Sequence, residues 1–329
     1  MSAEAVEEQD AAAAALAPEI RAWAQRIQEV AAGLAASDAG DGFAARRHVA
    51  RMLSDALAEE FTLPVPEGVR IRDLALAGGD EGVRRARWFR SASAHGPQPT
   101  MLWCHGGGFF GGTIDEILND RISAALTLAS GVQIFSLEYR LAPEHPFPAP
   151  VDDAVEALRD LRARCIELEV APDRLGIGGN SAGATIAATA ARRLCGEGEQ
   201  VHHQALEVLP AALYPYGDSA TRYGRGFGLD DVEQLGELYR ADAPLTDASP
   251  LDFPDLSGLP PALLLVAEFD PLRDSALAYA DRLREVDVPT TVHLGAGHVH
   301  GSPGLTAGWQ GARDWQHAFA TELALAYRA

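Results

Sequence analysis

From Thr100 to the end of the chain, short apolar runs alternate with stretches of helical periodicity, and this alternation limits the fold more than any other feature. Each short run has the length of a buried strand, and each helical stretch can cross over to a parallel neighbour. The series predicts an α/β fold with a mostly parallel sheet and helices on both faces. The expected strands are 100–104, 132–137, 174–178, 206–213, 262–267 and 290–294, and the expected helices are 118–129, 151–162, 182–194, 275–284 and 310–327.

The first 66 residues do not share this alternation and form a separate helical segment in our prediction. Apolar side chains recur at helical spacing from Ile20 to Leu34 and again from Val49 to Leu57. A hairpin at 69–76 and 83–89 is expected to begin the sheet. Residues 218–250 are more polar and are expected to leave the sheet as an excursion over its edge.

The negative charge of the chain limits the classes of partner that it can bind. Lys and Arg total 27 against 47 Asp and Glu, so the chain repels phosphate backbones and anionic membranes, and we expect no nucleic-acid or membrane partner. The acidic first residues and the short, weakly apolar stretch 11–17 favour a cytoplasmic protein. The three cysteines lie far apart and are expected to be free thiols.

Ser181 stands in the run Gly179-Asn-Ser-Ala-Gly183, between an expected buried strand and an expected helix. Glycines at both ends leave room for a strained turn that lifts the hydroxyl off the sheet, and the helix start offers free N–H groups to an anion. A serine that merely caps the helix would fit the motif about as well. The motif alone therefore does not decide between a nucleophile and a cap.

Three consecutive glycines follow the strand at 100–104, in His105-Gly-Gly-Gly-Phe109. Bare backbone N–H groups can bind the oxyanion of a tetrahedral intermediate, although a phosphate loop or a flexible turn also uses glycines. No Lys-Ser or Lys-Thr follows to bind a nucleotide phosphate, and the dinucleotide pattern lacks its acidic partner. The oxyanion interpretation is therefore favoured.

An acid and a base follow in the order that a serine nucleophile requires in such sheets. Asp270 comes after the strand at 262–267, and His300 comes after the final strand. Glu268 and Asp274 compete with Asp270, because any one carboxylate among 47 acidic residues is more often solvated than catalytic. His298 competes with His300, and no further His or Cys at zinc spacing supports a metal site. We expect no metal and no organic cofactor.

Together these motifs resemble the hormone-sensitive-lipase group of α/β-hydrolases, also called the bacterial family IV esterases. The resemblance spans about residues 69 to 329 and implies an α/β-hydrolase fold. It implies a helical cap at 1–66, a catalytic domain at 67–329, and a second cap or lid within it at 218–250. The matching segments are His105–Phe109, Tyr139-Arg-Leu-Ala-Pro-Glu-His-Pro-Phe-Pro148 with Asp153-Ala154, Gly179–Gly183, Asp270-Pro-Leu-Arg-Asp274 and His300-Gly301.

The resemblance further implies a serine carboxylesterase that hydrolyses short- to medium-chain acyl esters of small molecules through an acyl-enzyme. Ser181 would be the nucleophile, His300 the general base and then acid, and Asp270 the residue that holds the imidazole. His300 is preferred over His298 because the family's histidine directly precedes a glycine. A homodimer through a sheet edge is expected by the same analogy. The oxyanion hole would consist of the backbone N–H groups of Gly107, Gly108 and Ala182.

Three positions depart from the family pattern. Asn180 stands where Asp is usual, Ala184 replaces a common glycine, and Ser302 follows His-Gly where an aromatic residue is usual. The change at 302 predicts less bulk in the acyl or alcohol pocket. Two alternatives stay open: a dedicated deacetylase or deacylase of a larger metabolite, and a non-catalytic ligand receptor on the same scaffold.

Overall fold

The predicted alternation of strands and helices forms one sheet in the computed structural model, which describes residues 16–35, 42–224, 229 and 231–328. Within these residues the sheet has eight strands in the order β1-β2-β4-β3-β5-β6-β7-β8. Strand β2 is antiparallel to both of its neighbours, and every other pair is parallel. The predicted α/β fold is therefore confirmed. The strands are β1 Val69–Ala77, β2 Val83–Ser91, β3 Gln98–Cys104, β4 Gln133–Leu137, β5 Val170–Asn180, β6 Gln204–Glu207, β7 Ala262–Phe269 and β8 Thr290–Val299.

Helices cover both faces of this sheet, as expected for crossover connections between parallel strands. Helices α4, α5 and α9 pack on one face, and α3 and α10 pack on the other. None of the helices in the described ranges combines the length and the apolar character needed to cross a membrane. The helices are α1 Pro18–Ala35, α2 Phe43–Phe61, α3 Ile117–Ser130, α4 Ala149–Ala163, α5 Ala182–Gly196, α6 Gly217–Arg222, α7 Val232–Arg240, α8 Leu245–Ala248, α9 Arg273–Glu285 and α10 Gln310–Ala326.

Three strands differ most in length from the prediction, and the first is β5, which runs from Val170 to Asn180 rather than from 174 to 178. Strand β6 ends at Glu207 rather than at residue 213, because Val208 takes a φ of 44° and Pro210 has no N–H for the ladder. Strand β8 continues to Val299 rather than stopping at 294. A register shift near Ala267 lets β8 stay paired with β7 beyond its glycines. This extension carries the chain toward His300.

The N-terminal helices lie against the loops that follow β3 and β8. In α2, Arg47 donates to the carbonyl of Phe110 at 2.6 Å, and Asp55 accepts from the N–H of Ile117 at 2.8 Å. Thr62, just after α2, donates to the carbonyl of Gly304 at 2.7 Å. These bonds hold the N-terminal segment against the carboxyl ends of the parallel strands, where Ser181 lies. Residues 1–15 and 36–41 of the predicted helical segment 1–66, and residues 225–228 and 230 of the excursion at 218–250, fall outside the described residues.

A buried carboxylate joins the β1–β2 turn to the loop after β4. Asp153 in α4 is 0% exposed, accepts from the N–H groups of Gly79 and Arg140 at 2.9 Å each, and pairs with Arg84 Nε at 3.0 Å and Arg140 Nε at 2.9 Å. Burial works to raise its pKa, but the bonds to Arg140 and Arg84 outweigh burial and hold the pKa below its usual range. Asp153 therefore stays ionised at the centre of this junction.

Replacing Asp153 by Asn should lower the free energy of unfolding by about 3–5 kcal/mol, because two guanidinium groups lose their buried counter-charge. Urea unfolding followed by circular dichroism measures the change. The control variant is Asp173→Asn. Because Asp173 is exposed, this variant should change the free energy of unfolding by less than about 0.5 kcal/mol. Equal stability of the two variants would contradict this role.

Candidate active site

Ser181 occupies a strained turn between β5 and α5. Its φ of 51° and ψ of −125° lie outside the regions that residues with a side chain favour. A Cβ at Gly179 would lie 2.4 Å from the carbonyl oxygen of Gly183, and a Cβ at Gly183 would lie 2.0 Å from the carbonyl oxygen of Cys104. Both glycines are thus required because the turn presses against the end of β3.

Three side chains from distant parts of the chain form a line of hydrogen bonds. Ser181 Oγ lies 2.9 Å from His300 Nε2, and His300 Nδ1 lies 2.8 Å from Asp270 Oδ2. The other carboxylate oxygen of Asp270 accepts from the N–H of Leu272 at 2.9 Å. Asp270 is buried, whereas His300 retains 11% of its side-chain exposure. This geometry can pass a proton from the serine hydroxyl to the imidazole.

The surroundings of His300 favour its protonated form. Burial pulls the pKa of His300 down, but attraction to Asp270, the hydrogen bond to Asp270 and a further attraction to Glu207 together raise the pKa above its ordinary value. An imidazole with a raised pKa is a stronger base for the serine proton. It also needs a higher pH before it is free to accept one.

The competing side chains serve the loops around this line. Glu268 accepts from the N–H of Gly297 at 2.7 Å, and Asp274 accepts from the N–H of Ser219 at 2.8 Å. His298 bonds the hydroxyl of Ser302 at 2.9 Å through Nδ1, and burial lowers its pKa to about 4. Among the described residues no group of His, Cys, Asp and Glu has a metal-binding arrangement.

The glycine loop after β3 turns its backbone toward Ser181. Gly107 and Gly108 take φ values of 130° and 59°. Within the described residues, neither N–H donates a hydrogen bond to a turn or loop carbonyl. The N–H of Ala182, at the first position of α5, has no acceptor within its helix. Beneath the loop, the hydroxyl of Tyr139 donates to the carbonyl of His105 at 2.6 Å. The N–H groups of Gly107, Gly108 and Ala182 are thus available to an anion.

A cavity of about 660 Å³ contains Ser181 and His300 in its wall. Its wall reaches from the N-terminal helices, through the glycine loop, to the space between α3 and α10. Ser302 is not part of this wall, because its hydroxyl turns inward to the carbonyl of Val299 at 2.9 Å. Pro303 and Gly304 face the cavity instead. The expected gain of space therefore does not come from the side chain at 302.

Two polar side chains, those of Asn180 and Glu207, also line the cavity. Asn180, beside the nucleophile, has its Oδ1 buried without a hydrogen-bond partner among the described residues. Glu207, which the sequence analysis missed, accepts from Trp315 Nε1 at 2.6 Å, and burial raises its pKa to about 7. Its signal was a charge inside the apolar run 206–213, which was predicted to be a buried parallel strand.

Known proteins match the chain over most of its length. A family model described as the alpha/beta hydrolase fold matches residues 101–303. The carboxylic ester hydrolase LipN of Mycobacterium tuberculosis is 34% identical over 283 residues, which are 82% of this chain and 72% of LipN. The arylesterase of Saccharolobus solfataricus is 36% identical over 62% of this chain and 69% of its own length. A solved ester hydrolase from the metagenome of Lake Arreo superposes with a TM-score of 0.85 at 32% identity, covering 95% of this chain and 100% of that one.

A fluorophosphonate should label Ser181, and the rate of labelling should fall as the pH drops through the pKa of His300. Because that pKa is raised, the half-maximal rate is expected above about pH 6.5, the ordinary value for histidine. Replacing Asp270 by Asn should slow labelling about a thousandfold or more. Asn at Asp274 is the matched control and should label normally. Mass spectrometry of the labelled peptide locates the adduct, and labelling that survives Ser181→Ala would contradict the assignment.

Replacing Gly183 by Ala should displace the turn from β3, lower stability by about 1–3 kcal/mol and slow fluorophosphonate labelling. Ala at Gly196, the last residue of the same helix, meets no atom within 4 Å and should be neutral or stabilise by up to about 1 kcal/mol. Thermal unfolding and labelling of both variants provide the comparison. Normal labelling of the Gly183 variant would show that the turn tolerates a side chain.

Proposed function

The chain belongs to the α/β-hydrolase family, in the hormone-sensitive-lipase-like group of carboxylic ester hydrolases, and from this premise we propose that it hydrolyses short- to medium-chain acyl esters with Ser181, His300 and Asp270. The observation that carries this proposal is the continuous line of hydrogen bonds from Ser181 Oγ through His300 to Asp270, at 2.9 Å and 2.8 Å. It ends at a strained serine that faces a cavity.

In acylation, Ser181 Oγ attacks the ester carbonyl carbon while His300 Nε2 takes the hydroxyl proton. The carbonyl oxygen becomes an oxyanion that the N–H groups of Gly107, Gly108 and Ala182 stabilise. Asp270 fixes the tautomer of His300 and stabilises the imidazolium. The tetrahedral intermediate then expels the alkoxide, which receives the proton from His300 and leaves as the alcohol.

In deacylation, water replaces the alcohol and repeats the same sequence. His300 takes a proton from the water as its oxygen attacks the acyl-enzyme carbonyl, and the second tetrahedral intermediate forms in the same oxyanion hole. Collapse of this intermediate breaks the bond to Ser181 Oγ, which takes the proton back from His300. The acid is released, and every proton is accounted for by chain and substrate.

The preference for short and medium acyl groups rests on the space around Ser181. A cavity of about 660 Å³ holds both halves of the ester, and the two capping segments limit how far an acyl chain can extend from Ser181. Residues 1–66 act as a cap in this proposal, supported by the bonds of α2 to the loops after β3 and β8. Residues 218–250 act as a second cap, supported by Leu235, which lines the cavity beside Gly108.

A cytoplasmic location and a homodimer complete the proposal. The location is supported by Cys104, Cys165 and Cys195, all free thiols, which is usual in a reducing compartment. The homodimer would form at β8, an outer strand of the sheet whose Leu294 is 51% exposed. A receptor without catalysis is disfavoured by the complete hydrogen-bond line at Ser181.

A series of p-nitrophenyl esters from acetate to hexadecanoate tests the function. We expect kcat/KM to be highest between acetate and octanoate and to fall at least about tenfold for dodecanoate and longer chains, because the capping segments limit how far an acyl chain can extend from Ser181. Ser181→Ala should abolish turnover of all of them. Activity only on one acetylated metabolite would favour the dedicated deacetylase, and a maximum at hexadecanoate would overturn the size limit.

A further inference from the structure

Glu207 lies where the fold calls for an apolar side chain. It ends β6, whose partners β5 and β7 enclose it on both sides, and it is 6% exposed. Ala205 faces the same side of the strand, by the alternation of side chains, and packs with Leu265 and Trp315 in the apolar layer under α3 and α10. Burying a carboxyl group in such an apolar layer costs free energy unless hydrogen bonds or a counter-charge compensate for the lost hydration.

The hydrogen bonds of the structure explain only half of this carboxyl group. Oε1 accepts from Trp315 Nε1 at 2.6 Å, whereas Oε2 has no partner among the described residues. Glu207 also lines the cavity that contains Ser181. A carboxyl group whose residue is nine-tenths buried, which lines the cavity and which has one oxygen without a donor among the described residues, points to a donor that arrives with the substrate.

The negative charge of Glu207 helps to raise the pKa of His300, but its carboxyl group makes no hydrogen bond in the line from Ser181 to Asp270. Asp270 already holds His300 Nδ1 at 2.8 Å, and the side chain of Glu207 bonds Trp315 rather than the imidazole. The backbone of Glu207, however, accepts from the N–H of Ser181 at 2.8 Å, so the end of β6 lies beside the turn that carries Ser181. Both residues line the same cavity, and the charge of Glu207 acts on His300, so the carboxyl group lies close to an acyl group bound at Ser181.

We propose, on the basis of the ester hydrolysis described above, that Glu207 selects acyl groups that carry a hydrogen-bond donor, a hydroxyl or a protonated amine, a few bonds from the ester carbonyl. The acyl half is the one concerned, because the alcohol must leave toward solvent while the acyl group stays on Ser181 over the floor of the cavity. Arg313 also lines the cavity, but its Nη1 and Nε already donate to Thr306 and Gln310 at 2.8 Å and 2.9 Å.

The test compares the ethyl esters of butanoate, β-hydroxybutanoate and β-aminobutanoate, with monoethyl succinate as the anionic acyl group and hydroxyethyl butanoate as the ester whose hydroxyl is in the alcohol half. Acid release is followed at a constant pH of about 8, where Glu207, with its pKa of about 7, is ionised. The wild-type enzyme should prefer the hydroxy and amino esters over butanoate in kcat/KM, and the succinate should be poorest. Glu207→Gln keeps an acceptor for Trp315 but can turn its NH₂ group to the cavity. It should reduce the preference by about tenfold or more.

Two further variants separate recognition of substrate from support of Trp315. Trp315→Phe keeps the carboxyl group of Glu207 and should keep the preference for the hydroxy and amino esters. The double variant Glu207→Leu with Trp315→Phe has neither the carboxyl group nor an unpaired indole N–H, and it should lose that preference. An unchanged preference in the Glu207 variants, a succinate that is best, or a preference that appears only with hydroxyethyl butanoate would overturn the inference. Failure of the wild-type enzyme on every ester would instead overturn the proposed function.

Discussion

The site depends on one contact, the approach of the turn at Ser181 to the carboxyl end of β3. The space between Gly183 and the carbonyl of Cys104 does not admit a methyl group, so the chain can make this turn only with glycine. The same contact puts the serine beside the loop that leaves β3 at His105. The proposed nucleophile and the proposed oxyanion-binding groups are therefore positioned by a single close packing of backbone on backbone, which rotamer changes cannot loosen.

The rest of the structure supports the two loops that meet there. Tyr139 holds the carbonyl of His105 from below, and Asp153 anchors the segment that carries Tyr139 through Arg140. From above, α2 reaches the loop at Phe110 through Arg47. In the proposed mechanism half of the catalytic groups are backbone N–H groups, so rigidity of the main chain matters to the reaction as well as the three side chains.

The sequence predicted the sheet, its helices and the three polar residues at the site because each leaves a local signal. Strand and helix periods alternate clearly, and Ser181, Asp270 and His300 each follow a strand. The choice between His298 and His300 needed the family resemblance, since both follow the predicted strand 290–294, whereas the structure places His298 inside β8 and His300 after it. The end of β6 was missed because an apolar run does not reveal the positive φ at Val208. Glu207 escaped notice because its register against Asn180, the neighbour of Ser181, is set by the pairing of β6 with β5 rather than by its own sequence.

The location of His300 has a consequence for how the enzyme loses activity. The residue follows β8, which lies at the edge of the sheet and pairs only with β7 in the described structure. Edge strands open by local unfolding at a lower free energy than central strands, as hydrogen exchange commonly reveals. Such fraying would withdraw the imidazole while β3 and β5 still hold the serine and the glycine loop in place. Inactivation by heat can therefore be reversible and can precede global unfolding, with the edge of the sheet serving as the weakest part of the catalytic apparatus.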